Sequence, residues 1–198
     1  MINILGKIPR KVMVACSGGV DSMAVVDFLL RKHTVELLFV HHNTLTSCVA
    51  YDFLSKYAIS RNLKLHVHFI DAVKPARVSQ EEHWRNERYK FFHSYDKPVI
   101  TCHHLDDCVE TWVWSSMHGE GKLIPHTNAN VIRPFLSTRK AKFINWCTKN
   151  NVAWVEDASN DDTKYTRNYI RHELLPMVLK INPGIHKTIA KKVKKNNE

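Results

Sequence analysis

The residues best suited to phosphate chemistry stand in one short polar segment, 17–22, with the sequence SGGVDS. It directly follows the apolar run 12–16 and directly precedes the amphipathic run 23–30, an order that predicts a strand, a glycine turn and a helix. Gly18 and Gly19 allow a tight turn and let backbone N–H groups approach an anion, because no Cβ stands in the way. The Ser22 hydroxyl and the free N–H groups of the helix add donors. No Lys follows the glycines, so the segment differs from the GxxxxGK(S/T) loop and predicts another kind of phosphate or pyrophosphate site.

A second group of reactive side chains lies in residues 103–111, HHLDDCVET. On a helix, Asp107 and Glu110 share a face, and like charges crowded there cost stability unless a cation binds between them. A metal ion and an ammonium group are both candidates. His103, at the end of the preceding strand, is suited to act as an acid or base or to bind a phosphate. Two alternatives remain: acidic residues that only complement the helix dipole, and a zinc site, which the diverging adjacent histidines disfavour.

The third group lies near the carboxyl terminus. Arg167 and Arg171 are four residues apart and therefore share a helix face, where their planar guanidinium groups can clamp phosphates. The alternative is a structural network in which they pair with Asp157, Asp161 or Glu173.

Alternating elements must position these groups. Apolar patterning predicts strands at 12–16, 35–40, 63–70, 98–102 and 152–155, and helices at 49–59, 81–92, 105–117, 140–149 and 169–179, with a polar loop at 118–130 and a turn at 161–165. This order predicts an α/β fold with a Rossmann-like, mostly parallel sheet and helices on both faces. Ligands of such sheets bind beyond the carboxyl ends of the strands. Residues 17–22, His41–His42 and His103–His104 all follow predicted strand ends.

Composition limits the partners and the compartment. The 198 residues include 29 basic and 19 acidic side chains, a formal charge of +10 that favours a polyanion such as nucleic acid, although solvated lysines are the alternative. No apolar run is long enough for a membrane span and no signal peptide is evident, so we expect no membrane association. The five cysteines form no CxxC pair, which favours reduced thiols in the cytoplasm. One catalytic domain, 1–184, and a basic tail, 185–198, are expected.

Taken together, the motifs resemble the ATP-pyrophosphatase, or PP-loop, superfamily, and within it the tRNA(Ile)-lysidine synthases. The matching segments are SGGVDS, HHLDDCVET, IRPFLSTRK and EDASNDDTKYTRNYIRHELLP, and residues 84–89 resemble the ARxxRY element of the lysidine synthases, with Trp84 where Ala is usual. The resemblance extends from about residue 12 to residue 184. SGGxDS is shared with GMP synthetases, NAD synthetases and argininosuccinate synthases, and HHxxDDxxET with tRNA cytidine thiolases, whereas RNxIRHELLP is the discriminating element.

The resemblance implies a ligase. ATP would adenylate the 2-oxo group of the wobble cytidine in an isoleucine tRNA with a CAU anticodon, and the side-chain amine of L-lysine would then displace AMP. The implied catalytic residues are Asp21, His103, Asp107 and Glu110. The implied ATP-binding residues are Ser17, Gly18, Gly19, Val20, Asp21, Ser22 and His41, with Asp21 placing Mg²⁺. The implied tRNA-binding residues are Arg85, Arg167, Asn168 and Arg171.

Some features depart from the lysidine synthase pattern. The glycine-rich loop at 119–125 is short, and residues 43–45 replace a Gly-Leu-Arg element. We expect the usual C-terminal tRNA-binding domains to be absent and the basic tail to attract phosphates instead. A homodimer is possible. Two other functions remain open: a different PP-loop enzyme that modifies an RNA base, and a non-catalytic tRNA-binding module.

Overall fold

A six-stranded sheet forms the centre of the chain, of which the computed structural model describes residues 1–156, 163–164 and 166–197. The strands are β1 (Lys11–Ala15), β2 (Thr34–His41), β3 (Leu65–Phe69), β4 (Val99–Ile100), β5 (Thr127–Asn128) and β6 (Val131–Ile132). Their order in the sheet is β3-β2-β1-β4-β6-β5, and every neighbouring pair except β5–β6 is parallel. The mostly parallel, Rossmann-like sheet is thereby confirmed. Its order reverses at β1, so the switch point lies where residues 17–22 begin.

Helices cover both faces of this sheet. They are α1 (Val20–Leu30), α2 (Leu45–Ser60), α3 (Gln80–His93), α4 (Leu105–Met117), α5 (Lys140–Asn150), α6 (Thr166–Tyr169), α7 (Leu175–Ile181) and α8 (Ile185–Lys195), with a π-helical segment, Ile170–Leu174, between α6 and α7. Alternation along β1 sends Val12 and Val14 into the core formed with α1, α2 and α5. Met13 points to the opposite face, where it shares a core with Phe92 of α3.

Helices α4 and α8 pack on each other in a separate apolar cluster. It includes Leu105, Val109 and Val113 of α4 together with Ile185, Ile189 and Val193 of α8. The segment expected to be a basic tail, 185–198, is thus helical from Ile185 to Lys195 and buries one of its faces.

The strand predicted at 152–155 was wrong. Residues 152–155 have no strand partner, and the N–H of Val155 instead donates to the carbonyl of Gly18 at 2.9 Å. A run of four apolar residues specifies burial but no pairing, and here burial is achieved as an extended segment packed beside the glycine turn.

The loop predicted at 118–130 was wrong at its end, because β5 and β6 form a short antiparallel hairpin there. Ala129 in the turn has a φ of 49°, and the Asn130 side chain anchors it by donating to the carbonyls of Phe92, Tyr95 and Lys97. Strands of two residues are too short to leave a periodic pattern in the sequence, so the hairpin could not be predicted. In the structure, these tertiary hydrogen bonds hold its turn in place.

The last predicted helix, 169–179, is part of a longer helical stretch that runs from Thr166 to Ile181 through the π-helical segment. Most of the turn predicted at 161–165 lies outside the described residues. None of the described helices combines the length and hydrophobicity needed to cross a lipid bilayer.

Candidate active site

The glycine turn after β1 leaves backbone donors at the start of α1. Gly18 has a φ of +83°, a conformation that favours glycine, although a Cβ there would meet its nearest neighbours only at ordinary contact distance. Ser22 Oγ donates to the carbonyl of Gly19 at 2.9 Å and closes the turn. No described side chain caps α1 at Gly19, so its first N–H groups remain suited to an anion.

Asp21 stands in the first turn of α1 with one carboxylate oxygen unused. Its Oδ1 is buried and has no hydrogen-bond partner among the described residues. Its Oδ2 lies 3.6 Å from Nε2 of His104 and 3.9 Å from Nζ of Lys140. The described residues contain no group of three or more His, Cys, Asp or Glu that would hold a metal by themselves. Asp21 therefore fits a Mg²⁺ ion that takes most of its other ligands from phosphates and water.

The two adjacent histidines at the start of α4 have different surroundings. The backbone N–H of His104 donates to Oδ2 of Asp107 at 2.9 Å. In return, Nδ1 of the neutral His104 ring accepts from the backbone N–H of Asp107 at 3.3 Å. These reciprocal bonds cap the helix. Burial disfavours the charged form of His104, but Asp107, Asp21 and Asp106 together outweigh it and raise its pKa. Burial lowers the pKa of His103 to about 4, so this ring is neutral at physiological pH.

Glu110 is almost completely buried, with 3% of its side chain exposed, and is held by two guanidinium groups. Arg171 Nη2 donates to Oε2 at 2.8 Å, and Arg167 Nη1 donates to Oε1 at 3.4 Å. Burial raises the pKa of Glu110, although both arginines oppose this shift. The arginines thus contact the predicted acidic face, with Arg171 also 3.8 Å from Oδ1 of Asp107. Two of the alternative partners, Asp157 and Asp161, lie outside the described residues.

A cavity of about 790 Å³ opens beside these groups, within the size range of ligand pockets. The predicted site residues that line it are Ser17, Arg85, His103, Glu110, Arg167, Asn168 and Arg171. The other predicted site residues are not among those that line the cavity: Gly18, Gly19, Val20, Asp21, Ser22, His41 and Asp107.

His41 and His42, at the end of β2, point to different surroundings. His41 is buried, its ring centroid is 4.8 Å from that of Phe69, and its Nδ1 is 3.0 Å from Oδ1 of Asn43. His42 lines the cavity with its ring 4.8 Å from the ring of Trp84, and burial lowers its pKa to about 4. Of the two, only His42 lines the cavity, and the sequence did not distinguish them because His42 lies directly after the end of β2.

Arg88 and Asp106 were also missed. Arg88 lines the cavity one helical turn from Arg85, and burial lowers its pKa. Its position in the Arg-x-x-Arg-Tyr element was a usable signal. Asp106 joins three elements: it accepts from the N–H of Lys140 at 2.7 Å and from Nε of Arg139 at 3.1 Å, and it contacts Nε2 of His186 at 3.2 Å. No local pattern signalled these distant partners.

Comparisons with known proteins identify the family to which the chain is similar. A family model described as a PP-loop domain matches residues 3–178. A protein named tRNA(Ile)-lysidine synthase from Thermosipho africanus is 32% identical, over 91% of this chain and 47% of its own. One of the same name from Francisella tularensis subsp. novicida is 29% identical, over 92% of this chain and 50% of its own. The chain therefore spans about half the length of the curated relatives it matches.

Solved structures show the same fold at low identity. The NH3-dependent NAD synthetase from Campylobacter jejuni has a TM-score of 0.51 and 14% identity, with coverage of 96% of this chain and 87% of its own. The NMN synthetase from Francisella tularensis has the same TM-score and coverage, with 12% identity. At such identities the likeness concerns the fold alone.

Proposed function

The chain belongs to the PP-loop domain family, and from that premise we propose that it carries the catalytic chemistry of a tRNA(Ile)-lysidine synthase. In this proposal ATP activates the 2-position of the wobble cytidine in a tRNA with a CAU anticodon. Free L-lysine then forms a carbon–nitrogen bond there, and AMP and pyrophosphate are the other products. The observation that carries the proposal is the cavity itself, which is lined by Ser17 of the glycine turn, the neutral His103 and the buried carboxylate of Glu110.

The glycine turn would bind the phosphates of ATP. Ser17, the N–H groups of Gly18 and Gly19 and those at the start of α1 are the donors, and the positive end of the helix dipole favours the anion. Asp21 would hold Mg²⁺ through its unused Oδ1. When bound, the ion would neutralise charge on the phosphates and the leaving group.

His103 would contact the reacting phosphate as a neutral ring. Its Nδ1 lies 2.9 Å from Oγ1 of Thr101, which fixes the ring, and the lowered pKa keeps it available to accept or donate one hydrogen bond. The wobble base would have to leave its stack to reach this cavity. Arg85, Arg167 and Asn168 line the cavity and are the proposed contacts for the RNA.

The carboxylates of α4 would receive the amine substrate. Glu110 faces the cavity and Asp107 lies one turn earlier, so an ammonium group between them would relieve their repulsion. Because Arg167 and Arg171 already contact Glu110, an added ammonium group requires that at least one guanidinium group shifts. A free amine would then attack the activated carbon after losing its proton to a carboxylate.

An incorporation assay tests the proposal. The protein is incubated with ATP, Mg²⁺, labelled lysine and a CAU-anticodon tRNA, and both lysine transfer and AMP are measured. We expect both products from the wild type and neither from Asp21→Ala. The matched control is Asp52→Ala, which removes a carboxylate of the exposed pair with Lys56 and should keep full activity.

Other outcomes separate the alternatives. AMP release without lysine, on another RNA, would assign the chain to a different reaction of the PP-loop family. Binding of tRNA with no ATP turnover would make it a non-catalytic module. Wild-type activity in Asp21→Ala would refute the assigned phosphate chemistry.

A further inference from the structure

Helix α8 has a strongly polarised surface. Its buried stripe, which includes Ile185, Ile189 and Val193, packs on α4 in the shared apolar cluster. Four exposed lysines stand on the side away from that stripe: Lys187, Lys191, Lys194 and Lys195. Their spacing of four, seven and eight residues from the first keeps them on one helix face. We call this face the lysine stripe.

None of the described residues neutralises the lysine stripe. Residues 184–197 contain no Asp or Glu, and none of the four lysines has an ion pair with a described residue. From Lys187 to Lys195 the helix rises about 12 Å, so the charges form a line long enough to follow several phosphates of a nucleic-acid strand.

Tertiary contacts fix the direction of α8 relative to α4. His186, in the first turn of α8, contacts Asp106, in the first turn of α4, and both side chains have little exposure. At its other end, α8 lies beside the loop after α4, where Val193 and Asn196 share a small cavity with Ile124. The two helices therefore run side by side in the same direction. Lys187 directly follows the residue that contacts the first turn of α4, at the edge of the sheet where the strands have their carboxyl ends.

The composition of this face discriminates between classes of partner. An amphipathic helix that binds a membrane inserts its apolar face, but the apolar face of α8 is already buried against α4. Protein interfaces are depleted in lysine and enriched in aromatic residues, and the exposed positions 187–197 hold only Lys, Thr and Asn. A polyanion with regularly spaced charges fits this surface better than either.

We infer that the lysine stripe of α8 binds the phosphate backbone of the RNA whose base enters the cavity. The inference rests on the proposed function for the identity of that RNA, and adds a fixed surface outside the cavity that orients the RNA on the catalytic unit. Since lysines contact phosphates as point charges, the contribution should be independent of sequence and sensitive to salt.

Charge-removing substitutions test this inference better than deletion, because α8 is part of the apolar core. We would compare the wild type with the triple variant Lys187→Gln, Lys191→Gln, Lys194→Gln by fluorescence anisotropy of a labelled CAU-anticodon tRNA over a series of salt concentrations. We expect the slope of log affinity against log salt to fall by about one for each lysine removed. Thermal unfolding should be unchanged, because the substituted side chains are exposed.

A matched control removes the same charge from the opposite edge of the sheet. Lys64 is exposed directly before β3, and Lys32 is exposed two residues before β2. Lys149 is exposed near the end of α5, beside the contact between Arg31 and Asn150. The triple variant Lys32→Gln, Lys64→Gln, Lys149→Gln should keep the wild-type slope. An equal loss in both variants would show only a general charge effect and would refute the inference.

The outcomes also separate this inference from the proposed function. Wild-type slope in the α8 variant, in a protein that ligates lysine, would refute the lysine stripe and leave the function intact. A reduced slope in a protein that transfers no lysine would support the lysine stripe and refute the function. Tight binding of an acidic protein with no RNA binding would refute the RNA surface and assign the lysine stripe to a protein partner.

Discussion

The ion cluster around Glu110 gives the most quantitative prediction. Replacing Arg171 with Met removes the closer of its two guanidinium partners, at 2.8 Å, and leaves Arg167 at 3.4 Å. Breaking a fully buried pair typically costs about 3–5 kcal/mol, whereas a hydrogen bond to a charged group contributes about 1.5–3 kcal/mol. Because Arg171 is 32% exposed and a second partner remains, we expect the lower range, about 2 kcal/mol at about pH 8.

The loss should depend on pH with a definite sign. Glu110 has a raised pKa in the folded protein, and Arg171→Met should raise it further. When a carboxyl group has a higher pKa in the folded protein than in the unfolded chain, folding is not weakened while the group is protonated. The free energy of unfolding then falls as the pH rises through the pKa of the folded state. The deficit of the variant should therefore be largest at about pH 8 and should shrink towards about pH 5.

Urea unfolding of a double-mutant cycle measures this effect. In the Glu110→Gln background the ionisable group is absent, so Arg171→Met should cost less and the difference should no longer vary with pH. The matched control is Lys90→Met, which breaks the exposed ion pair with Glu87 and should cost less than about 1 kcal/mol. A pH-independent cost of Arg171→Met, or an equal cost in both backgrounds, would refute the reasoning.

Three further predictions concern the fold around the site. Gly18→Ala should destabilise by about 1–2 kcal/mol in urea unfolding, because of the positive φ rather than a clash, and an unchanged midpoint would contradict this. Truncation after Pro183 should lower the unfolding free energy by about 4 kcal/mol or more, since the core loses Ile189 and Val193 among others; a truncated chain as stable as the whole would show that α8 does not pack as described. Among the five free cysteines, Cys48 is the exposed one and should react first with a thiol reagent, and mass spectrometry of the labelled peptides would show whether another reacts sooner.

Much of the fold could be predicted because its signals are local. The helix predicted at 105–117 has those bounds in the structure, and the strand, turn and helix around residues 17–22 are as expected. Both depend on periodicity and on glycine placement, which neighbouring residues determine. The strand predicted at 152–155 failed because its apolar run is satisfied by contact with the glycine turn rather than by a sheet partner.

In the candidate site, too, some features could be predicted from the sequence and others could not. The sequence by itself determined which side chains have the right chemistry, because SGGVDS and HHLDDCVET place donors and carboxylates at predictable helix starts. The tertiary structure alone decided their partners. It assigned Arg167 and Arg171 to Glu110, turned His42 rather than His41 into the cavity, and joined α8 to α4 through His186. Such contacts span tens of residues, and only the packing of whole elements brings the partners within a few ångströms of each other.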